Sequence, residues 1–278
     1  MLILPITTPT LKTGDDLPKI LHASGMIEPG DIIVVSSKAI ATVEDAAIDL
    51  ARIKPSTEAE RLARICSQDP RFTQAVLDET KRLNGAVVGT CPWALITSLR
   101  PTGMNRGRIL CPNAGLDRSN VRDGFAIGWP EDPVESVDRL WERLKKLLRE
   151  RSANSDQRSA RNRAKNQQRK TNSLAMILSD SCCMPGRLGV IAFTLVCAGI
   201  DPVLSKIGEK DLFRNPLKFT NEAIADQLAT AANAVMGNAA ESTPAAIIRD
   251  HGLPFSDFCG WVEGIEPEND LFAAILES

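Results

Sequence analysis

Residues 29–38 read PGDIIVVSSK, and this stretch decides how the chain is divided into elements. Pro29-Gly30 is a turn signal. The run 31–35 (DIIVV) is short, β-branched and apolar throughout, which predicts a strand buried on both faces rather than an amphipathic helix. Ser36, Ser37 and Lys38 follow at the strand's end, where a lysine can reach a phosphate; an ordinary surface lysine beside a capping serine fits the same pattern. Upstream, Gly14-Asp15-Asp16 leads into a helical pattern at Leu17, Ile20 and Leu21. Downstream, Ser56 or Thr57 caps a helix running to about Cys66, with Glu60 completing a capping box from Thr57. Asp69-Pro70 reads as an N-cap with proline at the first helical position. Residues 85–88 and 94–97 read as strands. Asp132 and Glu135 open a helix with the stripe Val137, Leu140, Trp141, Leu144 and Leu148. Beyond it come a strand at 174–178 that ends in Ser179-Asp180-Ser181 and an apolar run at 190–196. An alanine-rich helix at 220–236 stopped by Gly237 and a short strand at 244–249 complete the pattern. Helix and strand signals alternate, so the expected class is α/β, mixed α+β.

Composition excludes several classes. The chain has 278 residues, a net charge of -2, 43% hydrophobic and 24% charged residues, as ordinary globular proteins do. No apolar run approaches the roughly 18–20 residues a membrane span needs, and the N-terminus MLILPITTPT lacks the basic region of a signal peptide. Seven cysteines, an odd number without CxxC spacing, point to free thiols and a reducing cytoplasm. With only two histidines, His22 and His251, a multi-histidine zinc site is disfavoured, and any metal is expected on oxygen ligands. Charge is concentrated in residues 143–170, where eleven Lys/Arg face two acids. Residues 151–172 hold no apolar residue larger than alanine and are expected to form a solvated, mobile insertion. Polyanion contact is the alternative use of that segment, although no aromatics interleave its charges, which disfavours nucleic acid.

Three places carry chemistry. There is no Walker A sequence and no GxGxxG after a strand. Residues 111–121, CPNAGLDRSNV, crowd Asn113, Gly115, Asp117, Ser119 and Asn120 behind a strand-like Ile109-Leu110. Gly115 permits a tight turn, Asp117 offers a hard oxygen to a divalent cation, and Asn120 offers an amide to a phosphate or base. By composition alone the same stretch is turn chemistry. Asp180-Ser181 sits at a strand's carboxyl end, where α/β sheets place ligands; a cap is the equal alternative. Ser37-Lys38 is the third place.

These motifs resemble the coenzyme F420-0:L-glutamate ligase (F420 gamma-glutamyl ligase) family. The resemblance runs through KTGDDL (12–17), PGDIIVVSSK, PSTEAERLA with QDPRF, CPNAGLDRSNV, PEDPVES, Asp180-Ser181, AGIDP (198–202), DLFRNPLKFT, ADQLATAANAVMGN and PAAIIRD. It covers residues 1–250 as one ligase-like domain containing the basic insertion; residues 251–278 form an extension with no assigned role. It implies two intimately packed lobes with mixed β-sheets and an intertwined homodimer. The implied activity is GTP-dependent addition of L-glutamate to the carboxylate of F420-0 through an acyl-phosphate, followed by gamma-linked extension. Mg²⁺ or Mn²⁺ is implied, with K⁺ as a further cation. Asp117, Asp180, Ser181 and Asn238 fall on metal positions, and Asp117, Asp180 and Arg187 are the catalytic candidates. Thr8, Pro9, Ser37, Lys38, Asn113, Asn120, Met236 and Gly237 are the nucleotide candidates, with residues 236–243 closing over the nucleotide.

The chain departs from the family pattern at definite places. Thr42 replaces a second lysine, and Asn238 replaces a longer polar side chain. Residues 182–192 read CCMPGRLGVIA, keeping Pro185, Arg187 and Gly189 but placing Met184, Gly186, Val190 and Ala192 where the family has an Arg, a Trp, a Gln and an Asp. Residues 100–108 are longer than the usual turn. Two other readings therefore stand beside the ligase: a divergent member with another acceptor or with nucleotide binding alone, and a polyanion-binding protein using residues 143–170.

Overall fold

A computed structural model describes residues 1–156 and 173–272. In chain order the strands are β1 (Leu2–Ile6), β2 (Ile32–Ser36), β3 (Ile48–Asp49), β4 (Ala86–Cys91), β5 (Ala94–Leu99), β6 (Ile109–Pro112), β7 (Phe125–Ala126), β8 (Ala175–Cys182), β9 (Ile191–Ala198), β10 (Leu204–Ser205), β11 (Asn221–Glu222), β12 (Ala245–Arg249) and β13 (Cys259–Trp261). The helices are α1 (Leu17–Ala23), α2 (Ser37–Val43), α3 (Thr57–Cys66), α4 (Pro70–Arg82), α5 (Pro133–Asp156) and α6 (Ile224–Met236). The mixed α+β class read from the sequence is the class observed.

The chain forms two compact units. The first comprises residues 1–11, 15–36 and 132–260. Its six-stranded sheet has the order β1-β12-β2-β8-β9-β13. β2 and β8 pair in parallel; β1 with β12, β12 with β2 and β8 with β9 are antiparallel. Ile32, Ile33, Val34 and Val35 are all fully buried, as expected of a strand covered on both faces. Helix α6 packs on β1, β12 and β9, and α5 packs on β8 and β9. Asp31, 1% exposed, anchors the edge of this core. Its carboxylate accepts two bonds from Arg249, at 2.8 Å each, and one from the Glu28 N–H at 2.7 Å.

The second unit comprises residues 12–14, 37–131 and the chain from Trp261 onward. Helices α3 and α4 pack together and cover the antiparallel sheet β4-β5-β6. Asp69 caps α4, accepting from the Arg71 and Phe72 N–H groups at 2.7 and 3.4 Å, with Pro70 at the first helical position. The C-terminal segment is stitched to the long 100–108 loop. Trp261 Nε1 donates to Thr102 O at 3.1 Å, and Glu263 Oε1 accepts from Asn105 N and Nδ2 at 3.1 and 2.9 Å. The Trp261 ring lies 6.2 Å from that of Trp129.

Four boundaries differ from the sequence reading. Ser56, not Thr57, is the N-cap of α3: its hydroxyl accepts from the Ala59 N–H at 3.1 Å, so Thr57 and Glu60 form no capping box. Residues 221–222 pair as β11 with β10, so the late helix begins at Ile224 rather than at 220. The strand read as 85–88 is the longer β4, 86–91. Residues 151–156 are helical, the last turns of α5, and Arg151 donates to the carbonyls of Gly25 and Ile27 at 3.3 and 2.5 Å. Those two bonds offset the ordering entropy that composition alone could not. The rest of the expected mobile insertion, 157–172, lies outside the described residues.

Candidate functional site

The turn after β6 is built by backbone conformation. Asn113, Ala114 and Gly115 take φ of 52°, 53° and 76°, and Asn120 takes 55°. A Cβ at Gly115 would lie 2.6 Å from the Trp129 ring, so both the angle and the space require glycine. The turn ends in a two-way bridge: Asp117 N donates to Ile127 O at 2.8 Å and Ile127 N to Asp117 O at 2.9 Å. Asp117 is thereby fixed in place with its side chain half-buried.

That carboxylate is surrounded by donors. Oδ1 accepts from the N–H groups of Arg118 and Ser119 at 2.6 and 2.9 Å, and Oδ2 accepts from the Ser119 hydroxyl at 2.6 Å. Lys38 Nζ forms a short ion pair with Oδ2 and also donates to Ser119 Oγ at 2.8 Å. Burial pushes the Asp117 carboxyl up, but the bonds from Lys38 and Ser119 outweigh it and hold the group below the ordinary carboxylate value. Asp117 is an anion at neutral pH. Lys38 reaches it because β2 turns directly into α2, placing Lys38 in that helix's first turn behind a buried Ser37. Two of the three chemical places in the sequence, separated by 79 residues, therefore meet in one unit.

Asn113 lies in the same turn with a defined task. Its Oδ1 accepts from Leu95 N and from Gln68 Nε2, both at 3.0 Å. Gln68 was not singled out by sequence reasoning, yet its Nε2 also donates to Trp93 O at 2.6 Å and its Oε1 accepts from Thr73 Oγ1 at 3.3 Å. One side chain thus ties the α3–α4 connection to the β4–β5 hairpin and to the 113–117 turn. A single long polar residue after Ser67, which takes a left-handed φ of 53°, gives no sequence signal of that role.

The remaining candidates belong to the other unit. Asp180 and Ser181 are near the end of β8, and Ser181 N donates to Asp180 Oδ1 at 2.8 Å. Arg187 is exposed in the β8–β9 loop. Thr8 N donates to Ser242 O at 2.9 Å, which fastens Thr8 and Pro9 to the 236–243 loop. In that loop Met236 ends α6, Gly237 takes φ 75°, and Asn238 is exposed. Glu241, absent from the sequence candidates, fills the space a Cβ at 237 would need, and its Oε2 accepts from Ala239 N at 2.8 Å. Asp226, on the first turn of α6, accepts from Thr194 N at 2.8 Å, and burial lifts its pKa above the usual carboxylate value.

Every metal candidate offers hard oxygen: carboxylates at Asp117 and Asp180, a hydroxyl at Ser181 and an amide at Asn238. That donor set suits Mg²⁺ or Mn²⁺ rather than zinc. Among the described residues no three His, Cys, Asp or Glu side chains form a metal-holding cluster. The seven cysteines are free thiols. Burial, with Asp226, Cys183 and Asp180 nearby, pushes the Cys182 thiol up to about 11. Among the described residues no helix is long and apolar enough to cross a membrane.

Comparison with known proteins supplies the family. The sequence profile of F420-0:Gamma-glutamyl ligase matches residues 5–154 and 151–250. The coenzyme F420:L-glutamate ligase of Methanocaldococcus jannaschii is 34% identical over 272 residues, 97% of this chain and 96% of that protein. The enzymes of the same name from Methanopyrus kandleri and Methanosarcina barkeri are 32% and 34% identical, covering 86% and 87% of this chain and 82% of each relative. The CPNAGLDRSNV turn, the Lys38–Asp117 pair and these near full-length matches lead to one conclusion: the chain belongs to the F420-0:gamma-glutamyl ligase family of amide-forming ligases.

Proposed function

We propose that this protein is a GTP- and divalent-metal-dependent ligase that adds L-glutamate to the carboxylate of F420-0 through an acyl-phosphate. The observation that carries the reading is the ionised Asp117 on its fixed turn, held against the Lys38 ammonium on α2. In the reaction, a carboxylate oxygen of the acceptor attacks the γ-phosphorus and GDP leaves. The glutamate amine then attacks the activated acyl carbon and orthophosphate leaves, forming the amide.

Residue roles follow from charge and placement. Lys38 supplies positive charge to the phosphate oxygens once it swings from Asp117, a point-charge contact on a flexible stem. Ser119 stays with Asp117 and keeps the carboxylate aimed while Lys38 moves. Asn120, with its left-handed backbone, is the amide candidate for a phosphate or base. Thr8, Pro9, Met236 and Gly237 are the nucleotide candidates of the first unit, on its fastened loop pair. Asp117 in the second unit, and Asp180, Ser181 and Asn238 in the first, each offer an oxygen to Mg²⁺ or Mn²⁺, which when bound would neutralise phosphate charge during transfer. Arg187, the remaining catalytic candidate, is exposed in the β8–β9 loop and carries the charge that suits an incoming carboxylate.

A homodimer completes this reading. Residues 203–222 form an arm on which Leu212, Phe213 and Phe219 are 99%, 85% and 88% exposed. Such an apolar group on one arm is the mark of an interaction surface. A cytoplasmic location fits the free thiols. The polyanion-binding alternative is weakened, because Lys145 lies 3.4 Å over the Trp141 ring and pairs with Glu142, while Arg151 is bonded to backbone carbonyls.

Orthophosphate release from GTP tests the function. Release that requires F420-0, glutamate and Mn²⁺ together, and that fails in Asp117→Ala, is expected. Release independent of F420-0 or of glutamate would contradict it.

A further inference from the structure

One groove in the second unit is not explained by the phosphate chemistry. It encloses about 240 Å³ and is lined by Gln68, Phe72, Trp93, Asn113, Asp117 and Arg118, among others. Trp93 is 77% exposed, whereas Trp129 and Trp261 are 3% and 4% exposed. A bare indole on a surface leaves a large apolar face in water, and the backbone that carries this one is held firmly. The Trp93 main-chain N–H donates to Cys91 O at 2.8 Å, and its main-chain carbonyl accepts from Gln68 Nε2 at 2.6 Å. On another wall the Arg118 guanidinium covers the Phe72 ring, 5.9 Å from its centroid. Gln68 and Asn113 knit the walls into one frame, so the groove is preorganised rather than a gap between loops.

The geometry points to this groove as the seat of the acceptor's planar, conjugated ring, with Trp93 as its stacking platform and Arg118 as a second flat, cationic face. The inference rests on the ligase reading and specifies which part of the acceptor lies where. Asp117 lines the same groove, so an occupant stacked on Trp93 reaches the place where its carboxylate is activated. An aromatic platform beside a guanidinium recognises flat, electron-rich, anionic rings without requiring matched hydrogen bonds. The nucleotide base is the competing flat ring. Of the nucleotide candidates only Asn113 lines the groove, and its Oδ1 already accepts from Leu95 N and Gln68 Nε2, which favours the acceptor here.

The test is a fluorescence titration of the intact protein with F420-0 and, separately, with flavin mononucleotide, beside a calorimetric titration with GTP and Mn²⁺. Trp93→Ala and Trp93→Phe are compared with wild type, and the exposure of Trp93 makes both substitutions compatible with folding, checked by circular dichroism. F420-0 is expected to quench the solvent-exposed tryptophan emission. Trp93→Ala is expected to weaken F420-0 about 10-fold or more, the loss of one aromatic stacking contact, with Trp93→Phe recovering most of it and GTP unchanged. F420-0 binding that Trp93→Ala leaves intact overturns the inference while sparing the ligase reading. A loss of GTP affinity equal to that of F420-0 also overturns it, giving the platform to the nucleotide base. If F420-0 fails to bind wild type but flavin mononucleotide binds in a Trp93-dependent way, the planar-ring site stands and the proposed acceptor falls. Binding of neither ligand overturns the site.

Discussion

Replacing Lys38 by methionine separates two effects that most substitutions at this site would blend. Methionine keeps the length and apolar stem of the side chain and removes the ammonium. Three donors to Asp117 survive: Arg118 N, Ser119 N and Ser119 Oγ, at 2.6, 2.9 and 2.6 Å. The turn should therefore hold. The Lys38 and Asp117 side chains are 27% and 43% exposed, so solvent screens their attraction, and its loss is expected to cost about 0–1 kcal/mol of stability. Metal affinity should move the other way. Lys38 occupies Oδ2, and it must leave before that oxygen can face a divalent cation. Removing a competing pair worth about 1 kcal/mol predicts Mn²⁺ binding up to about 5-fold tighter in Lys38→Met. Nucleotide loses a charged hydrogen bond worth about 1.5–3 kcal/mol, a weakening of roughly 10- to 150-fold. Electron paramagnetic resonance reads free Mn²⁺, and calorimetry at saturating Mn²⁺ reads GTP. Tighter metal with weaker nucleotide supports the reasoning. Weakening of both to the same degree would refute it, because Lys38 would then only be holding the turn together.

The structure sets three further expectations. Asp31→Ala strands the Arg249 guanidinium beside a vacated, fully buried position, so urea unfolding is expected to show a loss of about 3 kcal/mol; a loss under 1 kcal/mol would mean that Glu28 replaces Asp31 as partner. The folded pKa of Asp226 is raised above its unfolded value, so its contribution to stability is full below about pH 3.9 and is lost as pH rises through the folded value. Asp226→Asn keeps an oxygen for the Thr194 N–H and is expected to unfold at higher urea than wild type at pH 7 and with no such gain at pH 3.5; equal gains at both would contradict burial as the cause. Gly115→Ala combines φ of 76° with a methyl 2.6 Å from the Trp129 ring and is expected to cost about 2–4 kcal/mol while weakening GTP binding through displaced Asp117, read by denaturation and calorimetry.

Local signals in the sequence were legible where a single residue sets the backbone. Asp69 and Asp132 each cap the helix they were read to cap, Asp16 caps the helix it was read only to precede, and Gly237 ends α6. The DIIVV run is the buried strand it appeared to be, shifted by one residue to 32–36. Elements whose stability comes from distant partners were less legible. Residues 2–6 carry a proline and no alternation, and they form β1 only because β12 pairs with them from residue 245 onward. Helix α2 has seven residues with valine and threonine at its end, and nothing in SKAIATV distinguishes it from a strand continuation. The last turns of α5 look unfoldable by composition and are held by Arg151 reaching Gly25 and Ile27.

The candidate site divides in the same way. Asp117, Lys38 and Asp180 stood out because acid, base and hydroxyl residues clustered at strand ends. That Lys38 and Asp117 meet was not legible, since pairing across 79 residues is a property of the fold. Gln68 and Trp93 escaped notice for a different reason. One is a lone amide and the other a lone indole, and only the hairpin and turn around them give either a task.

The central claim is amide formation, and mass spectrometry of the acceptor tests it most directly. Purified protein is incubated with F420-0, L-glutamate, GTP and Mn²⁺, and the acceptor is compared with a parallel Asp117→Ala reaction. The account predicts acceptor heavier by one glutamyl residue or more in the wild-type reaction only, dependent on GTP. Unmodified acceptor in the wild-type reaction, from protein shown to bind GTP, would contradict it.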